Sequence, residues 1–283
     1  MSGSKLSDRL IAAADCVAAA KIFVGSPQNY TVVDCGCDHA YLAIHLVNHG
    51  IASRCIASDV RTGPLAAAKE HIEEAGLSES IETVLSDGVK SVNLEEADCL
   101  CILGMGGRLM TDILEAGGER VSRLNTLVLS PQSEPELVRA CVFDMGLHIE
   151  GERCVFEDGK YYVIMLVQEG KENEPYNPHE LRFGRAAVKI DVINEINRLE
   201  TLLKRDISVR EKLEGLPGES AREKLAPILA EIKELELSLA EIKKYECNIP
   251  DDKEYELTEA DIEALELLPA KRKALKHNNN SGD

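Results

Sequence analysis

Val33-Asp34-Cys35-Gly36-Cys37-Asp38-His39-Ala40-Tyr41-Leu42 is the stretch on which the fold turns. It completes an apolar run, residues 31–35, that reads as a buried strand, and it leads into residues 41–49, which read as a helix. Between the two lies one glycine, Gly36, where a dinucleotide fold needs three to cradle a pyrophosphate. A nicotinamide dinucleotide is therefore disfavoured. A strand end of this kind suits a ligand without phosphates, held by a close turn and polar anchors.

The alternation continues outward from this stretch. Strands are predicted at residues 31–35, 54–58, 81–85, 99–103 and 126–129, with helices at 41–49, 63–75, 108–116 and 134–145. After Gly146 the helices stop. Two β-rich runs, 147–156 and 161–168, are joined by Glu157-Asp158-Gly159-Lys160, whose Asp-Gly pair signals a hairpin. Strands alternating with helices build a mainly parallel sheet covered on both faces. Five parallel strands closed by an antiparallel hairpin resemble the class I methyltransferases, so the expected fold is an α/β, Rossmann-like sheet of that class.

Residues 171–180 (KENEPYNPHE) are polar, hold two prolines and read as a linker. Beyond them the period changes. Leu225, Ile228, Ile232, Leu235, Leu239 and Ile242 recur at steps of three and four, as do Val192, Ile196, Leu199 and Leu203. Gly215-Leu216-Pro217-Gly218 separates the two runs, and Ser220 with Glu223 has capping-box spacing. An antiparallel helical hairpin, a short coiled coil, is expected, with Pro227 kinking its second arm or marking a restart. The expected division is a cofactor-binding domain at 1–170, the linker at 171–180, the hairpin at 181–247 and a partly disordered tail at 248–283. One short helix, 258–268, is expected in that tail.

Composition narrows the function. The chain of 283 residues carries 32 Lys+Arg against 50 Asp+Glu, a formal charge of −18, which argues against a nonspecific polyanion binder. The charge is uneven: residues 1–170 have a net −12, whereas 181–247 are neutral, so the hairpin is the less repellent surface for a polyanion. No apolar run is long enough for a membrane span and no export signal is evident, so the nine cysteines read as reduced thiols of a cytoplasmic protein.

Ligands of open α/β sheets sit at the carboxyl ends of the strands. There, Asp34 is placed to hold the ammonium of S-adenosylmethionine beside the close turn at Gly36. Asp59, followed by Val60, suits ribose hydroxyls, and Asp87 with Gly88 suits an adenine amino group. Gly104 and Met105, within Leu103-Gly104-Met105-Gly106-Gly107, allow close backbone approach. Singly, each is an ordinary turn or cap residue. In order, they point to S-adenosylmethionine. Cys35-x-Cys37 and Cys99-x-Cys101 fall on neighbouring strands, but the pleat fixes such pairs and the zinc knuckle spacing is absent, so no metal is expected.

These residues carry a resemblance. Asp34 to Ala43, Gly63-Pro64, Gly104 to Gly107, the Leu6-Ser7-x-Arg9-Leu10 opening and Glu157-Asp158-Gly159-Lys160-x-Tyr162 are similar to motifs of the bacterial TrmK family. That family methylates N1 of an adenine at position 22 of tRNA and has a C-terminal coiled-coil hairpin. Cys37, Ala43 and Ser130-Pro131-Gln132 depart from its usual Ser, Pro and Gln-Pro-Asn. The resemblance implies that Asp38 orients the adenine amino group and receives the proton lost after N1 becomes cationic, with His39 or Tyr41 positioning the base or a phosphate. It implies tRNA as partner; Arg54, Arg61, Arg108, Arg120, Arg123 and Arg139, near the active face or its flanks, and Lys204, Arg205, Arg210 and Lys212, near the hairpin tip, are the expected grip. Two other readings remain open: a small-molecule methyltransferase on the same fold, and a non-catalytic cofactor-binding scaffold.

Overall fold

The computed structural model describes residues 6–246 except 173, 217 and 218; the expected tail and its short helix lie outside the described residues. The apolar runs pair into one seven-stranded sheet: β1 (Thr31–Cys35), β2 (Arg54–Asp59), β3 (Ile81–Leu85), β4 (Cys99–Gly106), β5 (Thr126–Ser133), β6 (Leu147–Glu157) and β7 (Lys160–Glu169). Its order is β3-β2-β1-β4-β5-β7-β6. The first five strands are parallel, and the β6–β7 hairpin closes the edge antiparallel.

Every residue of β1 is buried, and the pleat sends Val32 to one face and Val33 to the other. On the Val32 face pack α1 (Asp8–Phe23), α2 (Tyr41–Asn48) and α3 (Thr62–Glu74), through Ala13, Val17, Leu42, Leu46 and Ala68. On the other lie α4 (Gly107–Gly117), α5 (Glu119–Ser122) and α6 (Pro135–Asp144), through Met110, Leu114, Val121, Val138 and Val142. The helix α1 has no counterpart in the sequence reading. Ser7 caps it, its Oγ accepting the Leu10 N–H at 3.3 Å. The strands β4 and β5 also run past their predicted ends, because Met105 pairs with Pro131 and Gly106 with Ser133 after a register shift. The glycine segment is thus strand up to Gly106, and Gly107 opens α4.

Past the sheet, α7 (Pro178–Phe183) precedes the long helices α8 (Val192–Glu214) and α9 (Glu219–Glu246). Asn177 and Glu180 form a reciprocal capping box for α7. The box expected at Ser220 and Glu223 has no helix start to serve, since α9 already begins at Glu219. Pro227 lies within α9, which runs as one helix through it. Ion pairs Glu200–Lys243 and Arg205–Glu231 make α8 and α9 antiparallel, and Leu199, Leu235, Leu239 and Ile242 form their seam.

A buried chain of charges fastens these helices to the sheet. Arg139 on α6, fully buried, donates from Nε and Nη2 to Glu152 on β6 at 2.6 and 3.0 Å, and from Nη1 to the carbonyls of Leu181 and Arg182. Lys189 bridges Glu152 to Glu195 on α8, and Arg198 closes the chain on Glu195. Burial pushes the Glu152 carboxyl up, but Arg139 and Lys189 override it and hold the group at about 2.

Candidate active site

The parallel strands end on one side of the sheet, and there the chain encloses a cavity of about 570 Å³. That is room for a nucleoside-sized ligand. Asp34, Gly36, Asp38, His39 and Tyr41 reach it from the end of β1, Asp59 and Val60 from β2, Asp87 and Gly88 from β3, and Gly104 and Met105 from β4. All the candidate catalytic and cofactor-binding residues singled out from the sequence thus line one cavity.

The turn after β1 is built for close approach. Gly36 has φ +78°, and a Cβ there would collide with the Met105 side chain arriving from β4. The N–H groups of Gly36 and Cys37 both donate to the Ser58 carbonyl, at 2.8 and 2.9 Å, which ties the turn to β2. Asp38 (φ 49°) and Ala40 (φ 58°) are left-handed although neither is glycine. Such strain, about 1–3 kcal/mol per residue, persists where surrounding contacts enforce it. Here it presents Asp38 and His39 to the cavity just before α2 begins.

Two carboxylates are sunk in the wall, Asp34 and Asp59, each 4% exposed. Burial pushes Asp34 up to about 7; a hydrogen bond from the Ala43 backbone opposes this, and the Asp59 charge adds to it. A buried carboxyl of that kind fits an ammonium ligand. Asp59 accepts the Arg61 backbone N–H at 2.9 Å and that of Asp38 at 3.3 Å, which fixes its orientation. Asp38 is half-exposed, with His39 Nε2 and Arg61 Nη2 each 3.6 Å from its oxygens. Asp87 is exposed and pairs with Lys90. Val60 and Leu109, exposed yet apolar, give the cavity surfaces suited to an aromatic base. The residues therefore fit S-adenosylmethionine.

Several contributors were given no place in the cofactor site by the sequence. His71 on α3 stacks on Tyr41, with centroids 5.1 Å apart, and lies 5.4 Å from His39. Its Nδ1 is 3.2 Å from the His39 carbonyl. Arg9 and Leu10 enter from α1, Leu109 and Ile113 from α4, and Gln132 from the end of β5. Only three-dimensional pairing brings them together.

Four of the arginines expected at the active face do not serve there. Arg54 opens β2, at the opposite end of the sheet, and is paired with Glu82 and Glu96. Arg120 donates to the Val89 and Val92 carbonyls, Arg123 pairs with Glu119, and Arg139 is locked in the buried chain. Arg61 and Arg108 remain. Of the four cations expected at the hairpin tip, Arg205 is paired with Asp206 and Glu231, and Arg210 with Glu211 and Glu214, while Lys204 and Lys212 are exposed. The eight described cysteines are buried free thiols, and burial pushes Cys35 up to about 12. Among the described residues, no three His, Cys, Asp or Glu side chains converge as metal ligands.

Sheet order, the hairpin edge and an acid-lined cavity at the strand ends define a class I methyltransferase, and residues 7–165 match the methyltransferase domain family. The chain is 32% identical over 184 residues to the tRNA (adenine(22)-N(1))-methyltransferase of Bacillus subtilis, covering 65% of this chain and 74% of that one. It superposes on the crystal structure of the B. subtilis m1A22 tRNA methyltransferase TrmK with a TM-score of 0.69 at 26% identity, over 83% of this chain and 99% of that one. A candidate tRNA (m1A22) methyltransferase of Streptococcus pneumoniae, in complex with S-adenosyl-L-methionine, gives 0.67 at 29% identity over the same shares. The chain belongs to the TrmK family of tRNA methyltransferases.

Proposed function

We propose that this protein transfers the methyl group of S-adenosylmethionine to N1 of an adenine in tRNA, acting in the cytoplasm. One observation carries the reading: two buried carboxylates, a glycine turn and a half-exposed acid beside aromatic rings converge on one cavity at the strand ends. The names of its relatives supply the substrate.

The cofactor, when bound, supplies an electrophilic methyl on a sulfonium. Asp34 would hold its ammonium and Asp59 its ribose hydroxyls, with Gly36 and Gly104 allowing close backbone contact, Met105 walling the turn, and Val60, Asp87 and Gly88 flanking the adenine. Neutral adenine N1 carries a lone pair, so no covalent enzyme intermediate is needed. Holding that lone pair in line with the methyl, about 3 Å away, provides much of the acceleration. As the N1–C bond forms and the C–S pair returns to sulfur, positive charge spreads over the base. Asp38, half-exposed at the mouth, accepts the N6–H and takes the proton that amine sheds. Tyr41 and His39, steadied by His71, give a flipped base a ring surface on which to stack.

Of the cations expected to meet the tRNA backbone, Arg108, Lys204 and Lys212 are exposed, and Arg61 is exposed while paired with Asp38 and Asp59. So few contacts give only a modest salt dependence of binding. Incubating the purified protein with labelled cofactor and unmodified tRNA, then mapping N1-methyladenine by primer extension, tests the reading. Label in one tRNA adenine supports it. Cofactor binding without transfer to tRNA overturns it in favour of a scaffold, and transfer only to small molecules in favour of the second enzymatic reading.

A further inference from the structure

We infer that Arg9, delivered by α1, is the anchor for the carboxylate of the cofactor's amino acid end; the assignment rests on the cofactor reading above. Arg9 lines the cavity, yet its Nε and Nη1 are buried without a hydrogen-bond partner. Buried donors left unmet are uncommon in folded proteins and call for an explanation, and these two belong to a side chain that lines the cavity. The nearest carboxylate does not complete it: Glu157 Oε2 stands 4.0 Å from Nε, while Oε1 accepts the Arg9 backbone N–H at 3.3 Å. Tyr162 lies under the guanidinium at 4.9 Å and holds its plane. The guanidinium is thus braced on one side and unmet on the other.

The unmet side faces the end of β4. A Cβ built on Gly104, whose φ is +75°, would stand 3.5 Å from Arg9 Nη1 and 3.7 Å from the Gln132 amide nitrogen. Two donors therefore converge on a notch that glycine keeps free of side chain. Gly104 lies just beyond Ile102, which pairs with Cys35 on β1, so Asp34 on β1 and Arg9, reaching from α1 to the end of β4, line the same cavity. One acid and one guanidinium so placed match the two charges of an α-amino acid. A phosphate on the tRNA surface would need an outward cation, whereas the Arg9 side chain is four-fifths buried.

Isothermal titration of S-adenosylmethionine and of its decarboxylated analogue into wild type and Arg9→Gln tests this. Loss of the carboxylate should weaken wild-type binding by about 10–100-fold, the range for a hydrogen bond to a charged group. Arg9→Gln should weaken S-adenosylmethionine by a similar factor and leave the analogue at its wild-type affinity. Equal weakening of both compounds shows a merely structural arginine and overturns the assignment. Unchanged cofactor affinity with a raised KM for tRNA overturns it in favour of a phosphate grip. If melting shows Arg9→Gln to be unfolded, Arg9→Lys decides: it keeps the stem and charge but loses the fork, and should weaken only S-adenosylmethionine. Should wild type bind neither compound, the cofactor reading fails and this assignment with it.

Discussion

Replacing Asp34 by Asn should remove a pH dependence that the wild-type protein carries in both stability and cofactor affinity. The carboxyl moves from an ordinary 3.8 to about 7 on folding, chiefly through burial. At about 1.36 kcal/mol per unit, ionising it in the folded state costs on the order of 4 kcal/mol. The sign is the reverse of a salt-bridged acid. No cost exists below 3.8; it grows as the pH rises from 3.8 to about 7 and is constant above. Relative to Asp34→Asn, the ligand-free wild type should therefore lose about 2–3 kcal/mol of stability between pH 5 and pH 8. Urea denaturation followed by circular dichroism at the two pH values reads this directly. A bound ammonium favours the ionised carboxyl, so cofactor affinity should rise by up to about tenfold per unit below 7 and level off above it, with proton release on binding. Calorimetry at pH 6.5 in two buffers of different ionisation enthalpy measures that release. Parallel stability curves for the two proteins, together with no proton release, would refute the reasoning.

Three further outcomes are expected. Asp38→Asn should lower kcat by about 100-fold, the lower end for a positioned acid or base, while Kd for the cofactor stays within about twofold; single-turnover methylation beside a binding titration separates the two. Glu152→Gln leaves Arg139 and Lys189 buried with one partner fewer and should cost about 3–5 kcal/mol in denaturant unfolding. In wild type the contribution of that carboxylate is complete above its ordinary 4.5 and is lost as the pH falls to about 2, so the gap between the two proteins should close in acid. Lys204→Glu with Lys212→Glu should raise Kd for tRNA and flatten its salt dependence by about two counterions without changing cofactor affinity, as filter binding across a salt series would show.

The strands and the cavity's acidic residues were legible because parallel strands buried on both faces read as unbroken apolar runs, and each chemically telling residue lies at or just past the end of one. The β6–β7 edge was equally plain from its Asp-Gly turn. The helix α1 was not, since Ala12, Ala13, Ala14 and Ala20 offer little contrast between its faces. Nor were the roles of Arg9 and His71, which come from contacts across the fold. Arg139 looked like a surface charge because its partner Glu152 lies beyond the end of its own helix, on a strand. Arg54 shows a subtler limit: an arginine beside a strand is near the site or remote from it according to which end it occupies. The capping box illustrates competition between equal local signals. Asn177 and Glu180 form it because Pro178 starts a helix there, whereas Ser220 and Glu223 already lie inside a helix that begins at Glu219.

The charge chain from Arg139 to Arg198 turns the long helices into a fixed caliper rather than a tether. With its base clamped at Glu195 and Arg198, α8 runs on to Glu214 at about 1.5 Å per residue, and the reach of the arm is set by helical rise. A single inserted residue beyond Arg198 would advance the tip by about 1.5 Å and swing its lysines through about 100°. Relatives that clasp the same nucleic acid should therefore differ in arm length by whole turns, with intermediate lengths selected against.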